Sequence, residues 1–408
     1  MAEFYSAGTV ITEQADEVLH EAGVLFDGEQ ILWVGTVADF DAGRIAPEAK
    51  RRDFGPDATV LPGLIDTHVH LAFDGSPDPV GVVRSVDAAR QLAIMFKSAR
   101  ELLSAGVTTA RDLGAPGLLD ITVRDAIRDG LARGPRMVTA NAPLTVTGGH
   151  CWFFGAEADG VDEVRKRVRE ARKAGADTIK IMSTGGNMTA GTRPSEPQYS
   201  QEELSAIVDE AHRYGMKVAS HAHGTEGIRR SIVAGVDSLE HFTFQDSAGN
   251  MKEDPELIAA AAAKGIYVCK TLGLGWVPYI TSGRPVAPKM LRELLDQGVK
   301  VVAGTDSGIN DTPHVEYVAG LEAMASLGMS NGEVLASATI TAAESLGLDG
   351  VTGSLAAGKQ VDMIVVNGNP LSDLGVLRNI LAVLVRGQEY VPEFASTTTW
   401  KEATHAAS

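Results

Sequence analysis

The sequence predicts an α/β protein, a (β/α)8 TIM barrel with a small β-sandwich domain built from both chain termini. Two observations predict the barrel. Apolar strand-like segments alternate with amphipathic helices through the middle of the chain, and many of these helices close with a glycine. A third observation predicts the second domain, because the two chain ends share a pattern of short strands and turns. Regular alternation makes the strands parallel, and seven or eight such units suit a closed barrel better than an open sheet.

The N-terminal segment, residues 1–60, contains short strand-like runs. Asp27-Gly28 stands between two apolar runs in GVLFDGEQILWVG, which is a strong hairpin signal. The C-terminal segment, residues 350–408, has the same character, with strand-like VDMIVVNG and LAVLVRG separated by a turn at Asn369-Pro370. Neither segment holds enough apolar surface to fold alone, so we expect the two to pair into one small β domain.

The middle segment, residues 61–349, is predicted to form the barrel. Its strand-like segments are LPGLIDTHVHL, GVTTARDLG, DTIKIMS, KVASHAH, VDSLEHF, IYVCKTL and KVVAGTD. The helices that end in glycine include SARELLSAG, EVRKRVREARKAG, IVDEAHRYG, IRRSIVAG and ELIAAAAAKG. Glycine just past a helix end adopts the left-handed conformation that stops the helix. The helix after Ser200 opens with a capping-box match, in which Glu203 is the third helical residue.

The composition limits the classes of partner. A formal net charge of −17 argues against nucleic acid and against an anionic membrane surface, which are bound by clusters of Lys and Arg. Two cysteines, Cys151 and Cys269, cannot form a disulfide framework or a Cys-rich zinc site. The N-terminus lacks the apolar core of a secretory signal, and no stretch has the roughly 18 apolar residues of a spanning helix. We therefore expect a cytoplasmic protein that acts on a small-molecule substrate, and we expect a homo-oligomer.

Residues able to bind a metal ion follow the predicted strands at their C-terminal ends, which form the active-site face of a barrel. His68 and His70 are two residues apart, so strand alternation directs both the same way. Lys180 stands among apolar or small neighbours, where a free ammonium would be desolvated. Each of these residues alone is compatible with a structural role. A structural role does not explain the whole set, because residues of this kind stand at the ends of predicted strands one, four, five, six and eight. The set is His68, His70, Lys180, His221, His241 and Asp306.

The order of these residues, HxH followed by Lys, His, His and Asp, resembles the amidohydrolase superfamily. More narrowly, it resembles the imidazolonepropionase-like branch, which includes Xaa-Pro dipeptidases, ochratoxinase-like amidases and N-acyl amino acid hydrolases. The similarity extends over nearly the whole chain, in LPGLIDTHVHL, ADTIKIMSTGG, AGVDSLEH, GTDSG, TITAAESLGL and GSLAAGKQVDMIVVNGNP. The resemblance implies a barrel whose metal chemistry lies at the strand ends.

The resemblance also implies two divalent metal ions. It assigns His68, His70 and Asp306 to the more buried ion, His221 and His241 to the more exposed ion, and Lys180 to a bridge between them. Lys180 would carry a CO2-derived carbamate, because an anionic oxygen suits a bridge between cations and an ammonium would be repelled. Imidazole and carboxylate ligands suit zinc, with manganese or cobalt as alternatives. Asp306 would be the catalytic residue, accepting the attacking hydroxide's proton and passing it to the leaving amine.

Four further residues are candidates for contact with the substrate. His150, in TVTGGHCWFFG, matches a family histidine that reaches the substrate, and its alternative is an ordinary loop histidine. His223 stands where the dipeptidases often have tyrosine, giving HAH in place of HAY. Arg111 could receive a substrate carboxylate or pair with Asp112. Arg193, in a long loop, could do the same or be a solvated cation.

The function predicted from these residues is cleavage of an amide bond in a dipeptide or an N-acyl amino acid. The alternative substrate is a neutral carbamate, thiocarbamate or aryl-amide xenobiotic, since such barrels vary specificity through their loops. A mononuclear deaminase is less favoured, because those members of the superfamily lack the bridging lysine that Lys180 matches. A non-catalytic barrel would require a broken ligand set, and all six positions are occupied by ligand-type residues.

Overall fold

A computed structural model describes residues 1–12, 18–43, 45–277, 281 and 290–406. Residues 407 and 408, the end of the predicted terminal domain, lie outside this part. Within it, the helices are too short or too polar to cross a membrane.

The described strands and helices alternate through the middle of the chain and are mostly strands at its ends. In chain order the strands are β1 (Glu3–Ile11), β2 (Val18–Asp27), β3 (Gln30–Thr36), β4 (Lys50–Asp53), β5 (Ala58–Pro62), β6 (Leu64–Val69), β7 (Val107–Asp112), β8 (Arg136–Thr139), β9 (Thr178–Met182), β10 (Lys217–Ala222), β11 (Ser238–His241), β12 (Tyr267–Cys269), β13 (Lys300–Val301), β14 (Met363–Asn367), β15 (Ile380–Val385) and β16 (Gln388–Tyr390). The α-helices are α1 (Val37–Ala42), α2 (Pro79–Ser85), α3 (Ala88–Ser104), α4 (Leu119–Arg128), α5 (Val161–Ala174), α6 (Gln201–His212), α7 (Thr225–Ala234), α8 (Pro255–Ala263), α9 (Met290–Asp296), α10 (Tyr317–Ser326), α11 (Asn331–Ser337), α12 (Ile340–Leu346) and α13 (Trp400–Ala406). Short 3-10 helices cover Trp152–Phe154, Leu274–Trp276, His314–Glu316 and Leu374–Arg378.

One sheet contains strands from both ends of the chain. Its order is β16-β15-β14-β5-β1-β2-β3, and β4 pairs with β1 at the side of this path. The two chain ends meet where β5 pairs antiparallel with β14, from Ala58 opposite Asn367 to Pro62 opposite Met363. The predicted hairpin lies between β2 and β3, where Gly28 has a φ of 56° that suits glycine. Apolar side chains of both segments therefore share one core.

The middle of the chain forms two parallel sheets. One has the order β6-β7-β8 and the other β13-β12-β11-β10-β9. Backbone hydrogen bonds join their edges on both sides. Leu144, beyond β8, donates to the Lys180 carbonyl over 2.9 Å, and Asp306, beyond β13, donates to the His68 carbonyl over 2.8 Å. The carboxyl ends of all these strands consequently lie on one side of the molecule.

Several of the helices between these strands are amphipathic, and the helices predicted to end in glycine do so with a left-handed glycine. In α5, Val164 and Val168 are fully buried against the sheet, and Gly175 ends the helix with a φ of 96°. The capping box at the start of α6 is confirmed, because the Ser200 hydroxyl accepts from the Glu203 amide and the Glu203 carboxylate accepts from the Ser200 amide. These helices cover the outer faces of the parallel strands and fix the position of the strand ends.

Candidate metal and substrate site

The first group of predicted ligands meets where β6 and the segment after β13 lie side by side. Nε2 of His68 and Nε2 of His70 are each 3.3 Å from Oδ1 of Asp306. Asp306 has a φ of 58°, a left-handed conformation that is uncommon for a residue other than glycine and is frequent at functional sites. Burial by itself would raise the pKa of Asp306, but the two imidazoles hold it well below its usual value. Asp306 is therefore an ionised carboxylate.

The second group adjoins the first. The ring centroids of His221, in β10, and His241, at the end of β11, are 4.5 Å apart. The His241 ring is 5.2 Å from the ring of His68, so the two groups form one continuous cluster. His241 also has a left-handed backbone, with a φ of 70°. Parallel strands deliver these side chains to the same place because their carboxyl ends coincide.

Lys180, on β9, lines the same cavity as residues of both groups. Its side chain is 1% exposed, and its Nζ has no hydrogen-bond partner among the described residues. Burial lowers its pKa to about 8, although the carboxylates of Glu240 and Asp306 oppose that shift. A buried amine without a partner costs free energy, so this position calls for a group that the protein atoms do not supply.

Hydrogen bonds determine which ring nitrogen keeps a lone pair in His221 and His241, the two residues predicted to bind the more exposed ion. The Thr271 hydroxyl donates to the Lys270 carbonyl, so at 2.9 Å it accepts from Nδ1 of His241 and leaves Nε2 unprotonated. Nε2 of His221 donates to the Gly185 carbonyl over 3.1 Å, which leaves its Nδ1 unprotonated. Burial lowers the pKa of both rings well below the ordinary value, so both are neutral. Each ring therefore keeps one nitrogen free to bind a metal ion.

A cavity of about 270 Å³ opens over this cluster. Its inner wall consists of the cluster residues His70, Lys180, His221, His241 and Asp306, together with His150, Cys151, His223, Thr243 and Thr271. Apolar side chains form much of the rest: Phe73, Met182, Met188, Met251, Leu274, Trp276 and Ile309. Gly275 and four polar residues complete it: Asn187, Gln245, Asn310 and Asp311. Among the described residues, Lys180 is the one basic side chain other than histidine that lines this cavity.

His150 lies at the cavity wall, as a substrate contact should, with its ring 4.7 Å from that of His221. Its Nδ1 is 3.0 Å from the Thr189 hydroxyl, which accepts from the Cys151 amide and so has its own hydrogen available for that nitrogen. Burial lowers the pKa of His150 to about 3. The ring is neutral, and with the Thr189 hydroxyl donating to Nδ1 its Nε2 carries the proton and can act as a hydrogen-bond donor.

His223 also lines the cavity. Its Nδ1 is 2.9 Å from the Thr243 hydroxyl, and burial lowers its pKa to about 4. Its ring stacks on that of His241, with centroids 4.4 Å apart and planes 15° apart. One ligand nitrogen of each of His221, His223 and His241 lies within 4.8 Å of the others, but the nearly parallel rings of His223 and His241 direct their in-plane lone pairs poorly for one shared ion. This stacking favours the predicted contact with substrate over binding to the same ion.

The two predicted arginine contacts lie elsewhere. Arg111 is 2% exposed and donates to the Thr67 carbonyl at 2.7 Å, to Ser238 Oγ at 3.1 Å and to Glu240 Oε1 at 2.8 Å. It does not line the cavity and does not pair with Asp112, so both interpretations of Arg111 differ from the structure.

Arg193 also lies away from the cavity lining. Its side chain is 70% exposed, and its Nη1 is 3.7 Å from the Glu196 carboxylate. This position corresponds to the alternative interpretation, a solvated loop cation, and not to a contact with substrate.

Sequence reasoning missed two residues of the site. Glu240 is fully buried, and its Oε2 is 2.7 Å from Nδ1 of His68. Its signal in the sequence is a charged residue inside the strand-like segment VDSLEHF. Gly186 packs directly against the imidazole of His150, where a side chain would overlap the ring. No pattern in the sequence indicates that contact.

Residues 59–390 match the model of the Amidohydrolase family. Ochratoxinase from Aspergillus niger is 30% identical over 410 residues, which cover 90% of this chain and 82% of that protein. Imidazolonepropionase from Micrococcus luteus is 25% identical over 404 residues, covering 88% of this chain and 92% of that protein. Among solved structures, a Xaa-Pro dipeptidase with bound methionine is 32% identical and has a TM-score of 0.84. The match covers 96% of this chain and 100% of that chain. The similarity to these proteins extends over the segments that carry the site.

Proposed function

The chain belongs to the amidohydrolase family, and on that premise we propose a binuclear metal-dependent amidohydrolase that cleaves the amide bond of a dipeptide or an N-acyl amino acid. The observation that carries the proposal is the cluster of four imidazoles, one carboxylate and one unpartnered amine at the strand ends. We propose that residues 61–349 form a (β/α)8 barrel and that residues 1–60 and 350–408 form the accompanying β-sandwich domain. Cytoplasmic location and homo-oligomeric assembly stay predictions from the sequence.

Two divalent ions fit the residues of the cluster. The proposed ligands are His68, His70 and Asp306 for the more buried ion, His221 and His241 for the more exposed ion, and a carboxylated Lys180 between the two. The lone pairs left on His221 and His241 and the unpartnered Nζ of Lys180 support this assignment. Neutral imidazoles and oxygen ligands suit zinc, with manganese or cobalt as alternatives.

Bound divalent ions would lower the pKa of a water molecule and polarise the substrate carbonyl. Asp306 is suited to the proton transfers, because its carboxylate is ionised and faces the cavity. One of its oxygens takes a proton from the attacking water and gives it to the nitrogen of the leaving amine. Nε2–H of His150 donates a hydrogen bond to the substrate carbonyl oxygen, and His223, whose ring also adjoins that of His221, contacts the substrate as well.

The apolar part of the cavity wall indicates what kind of substrate the site accommodates. Phe73, Met188, Met251, Leu274 and Trp276 accommodate a large apolar group beside the scissile bond. A dipeptide or an N-acyl amino acid with such a group fits this wall. The scarcity of basic side chains along the described lining favours the second candidate, a neutral carbamate, thiocarbamate or aryl amide, because its substrates carry no carboxylate.

The experiment that tests the function uses the full-length protein. Metal content per chain is measured first, and the zinc- or cobalt-loaded protein is then assayed with N-acyl amino acids, their methyl esters, dipeptides and aryl carbamates. Two ions per chain with faster turnover of the free acids supports the leading proposal. Faster turnover of the esters or carbamates supports the second candidate function instead. A protein that binds no divalent metal ion contradicts both.

A further inference from the structure

Two buried charged residues adjoin the metal cluster without lining the cavity. They are Arg111, on β7, and Glu240, on β11. Glu240 is hydrogen-bonded directly to His68, and Arg111 is hydrogen-bonded to Glu240. We infer that Arg111 and Glu240 form a clamp that fixes the orientation and the tautomer of His68 and thereby sets the affinity for the more buried ion. This inference rests on the proposed function, since it concerns a ligand of the proposed metal site.

Glu240 is the centre of the clamp. One oxygen, Oε2, is 2.7 Å from Nδ1 of His68, and the other, Oε1, accepts from Arg111 Nη2 at 2.8 Å and from the Ser238 hydroxyl at 2.6 Å. A carboxylate paired with a guanidinium has no hydrogen of its own to donate. Nδ1 of His68 must therefore donate, and when the ring binds a metal ion as a neutral imidazole its lone pair is on Nε2. That nitrogen has no hydrogen-bond partner among the described residues and lies 3.3 Å from Asp306.

Arg111 holds Glu240 in place. Its guanidinium also donates to the Thr67 carbonyl at 2.7 Å, directly before His68 in the chain, and to Ser238 Oγ at 3.1 Å. These contacts connect β6, β7 and β11 around the carboxylate. Arg111 and Glu240 are 2% and 0% exposed, so neither charge is screened by water. A buried pair of this kind is costly to break, because the remaining charge is left without a partner.

A second buried pair provides a comparison within the same protein. Arg136 is 2.7 Å from Asp362, with side chains that are 11% and 0% exposed, and it joins β8 to the terminal sheet. The described contacts of that pair include no imidazole and none of the proposed metal ligands. The Arg111–Glu240 pair differs from it because the free oxygen of its carboxylate holds a ligand nitrogen. Partners that orient a metal-binding histidine in this way typically change metal affinity 10- to 100-fold.

Glu240→Gln is the discriminating variant. If the NH2 of the amide introduced at position 240 faces His68, Nδ1 of His68 must accept a hydrogen bond. The ring proton then moves to Nε2, which no longer has a lone pair for the metal ion. If the NH2 faces Arg111 and Ser238 instead, donors oppose donors and the clamp loosens. In either arrangement we expect zinc to bind one of its two sites about 10- to 100-fold more weakly. The affinity is measured on the full-length protein by competition with a chromophoric chelator.

Ser238→Ala is the second variant, because it removes one hydrogen bond to Glu240 and one from Arg111 without changing any charge. It should weaken zinc binding less than Glu240→Gln does. If Glu240→Gln does not fold, the zinc affinity of Ser238→Ala is the test of the inference. The matched control is Arg136→Met, which should lower the melting temperature and leave zinc affinity unchanged.

Wild-type zinc affinity in Glu240→Gln, or in Ser238→Ala where only that variant folds, overturns the inference. An equal loss of zinc affinity in Arg136→Met also overturns it, because the effect would then reflect general destabilisation. A wild-type protein that binds no divalent ion contradicts the proposed function itself, and that result is distinguishable from both.

Discussion

The imidazole of His150 lies directly against the backbone of Gly186, so close that a methyl group on residue 186 would overlap the ring. The two residues come from different loops, one following β8 and the other following β9. Gly186 does not have a positive φ, so glycine is needed here for space and not for backbone conformation. The position of the proposed substrate donor therefore depends on the absence of a side chain.

Gly186→Ala should displace His150 and reduce kcat, because the added Cβ occupies the place of the ring. Removing a donor to the reacting carbonyl typically costs about 10²-fold in kcat, and we expect His150→Ala to lose about that much. The test is a double-mutant cycle in kcat. The double variant should be no slower than His150→Ala alone, since Gly186 acts through the ring. Independent, multiplying losses would contradict this explanation, as would wild-type kcat in Gly186→Ala.

Lys180→Ala should lose at least one metal ion and nearly all activity, because the methyl side chain cannot carry the carbamate that we propose as the bridge. Metal content per chain and kcat are the measurements. Lys217→Met is a control, since that lysine donates to the Glu344 and Ser345 carbonyls away from the cavity. Two tightly bound ions and normal turnover in Lys180→Ala would rule out the bridge.

Asp306→Asn should keep the fold and lose proton transfer, because an amide of nearly the same shape cannot accept a proton from water. We expect kcat to fall at least about 10²-fold, the lower end for a positioned acid–base group. Circular dichroism and metal analysis accompany the kinetics. A variant with full metal loading and wild-type kcat would show that another residue moves the proton.

The positions of the proposed metal ligands could be predicted from the sequence because they depend on local pattern. His68, Lys180 and His241 each lie in a short buried strand, and neighbouring parallel strands bring such residues together whatever the loops do. The strand β8 has four residues and gave no clear pattern of its own. The pairing of β5 with β14 joins residues about 300 positions apart, and register at that distance is not encoded by any local signal.

The direction of a charged side chain could not be predicted in the same way. Arg111 and Asp112 are neighbours on β7, so one must point opposite to the other, but the sequence does not say which faces the cavity. Arg111 points to a carboxylate on β11, a strand more than a hundred residues later. Glu240 went unrecognised for the same reason, because its role depends on a partner from a distant strand.

Trp276→Ala should raise KM for substrates with a large apolar group and change KM little for glycine analogues. The indole lines the cavity and is 6% exposed, so its removal leaves a void that a large substituent no longer fills well. A loss of about 1–3 kcal/mol, or about 10-fold or more in kcat/KM, is typical for apolar contacts. Equal changes in KM for both kinds of substrate would contradict an apolar pocket at this wall.

The last prediction concerns stability and two buried carboxyl groups. Asp112 and Asp120 are fully buried, and Oδ2 of Asp112 and Oδ1 of Asp120 have no hydrogen-bond partner among the described residues. Burial raises the pKa of Asp120 to about 6, and burial together with the Asp120 charge raises that of Asp112 well above its usual value. The folded protein therefore binds more protons than the unfolded chain above pH 4, and these groups destabilise the fold increasingly as the pH rises toward and past 6.

Asp120→Asn should therefore raise the free energy of unfolding at pH 8, since it removes the buried charge and keeps the oxygen that accepts from the Asn141 amide at 2.7 Å. A pKa difference of about two units corresponds to about 3 kcal/mol, which is the upper limit of the gain. The gain should be smaller at pH 5, where the wild-type group is already largely protonated in the folded state. Denaturant unfolding at both pH values measures this gain.

Asp129→Asn, at the exposed end of α4, is the control and should show no comparable gain. A loss of stability at pH 8 in Asp120→Asn, or an equal gain at both pH values, would show that the charge on Asp120 is not what burial penalises here.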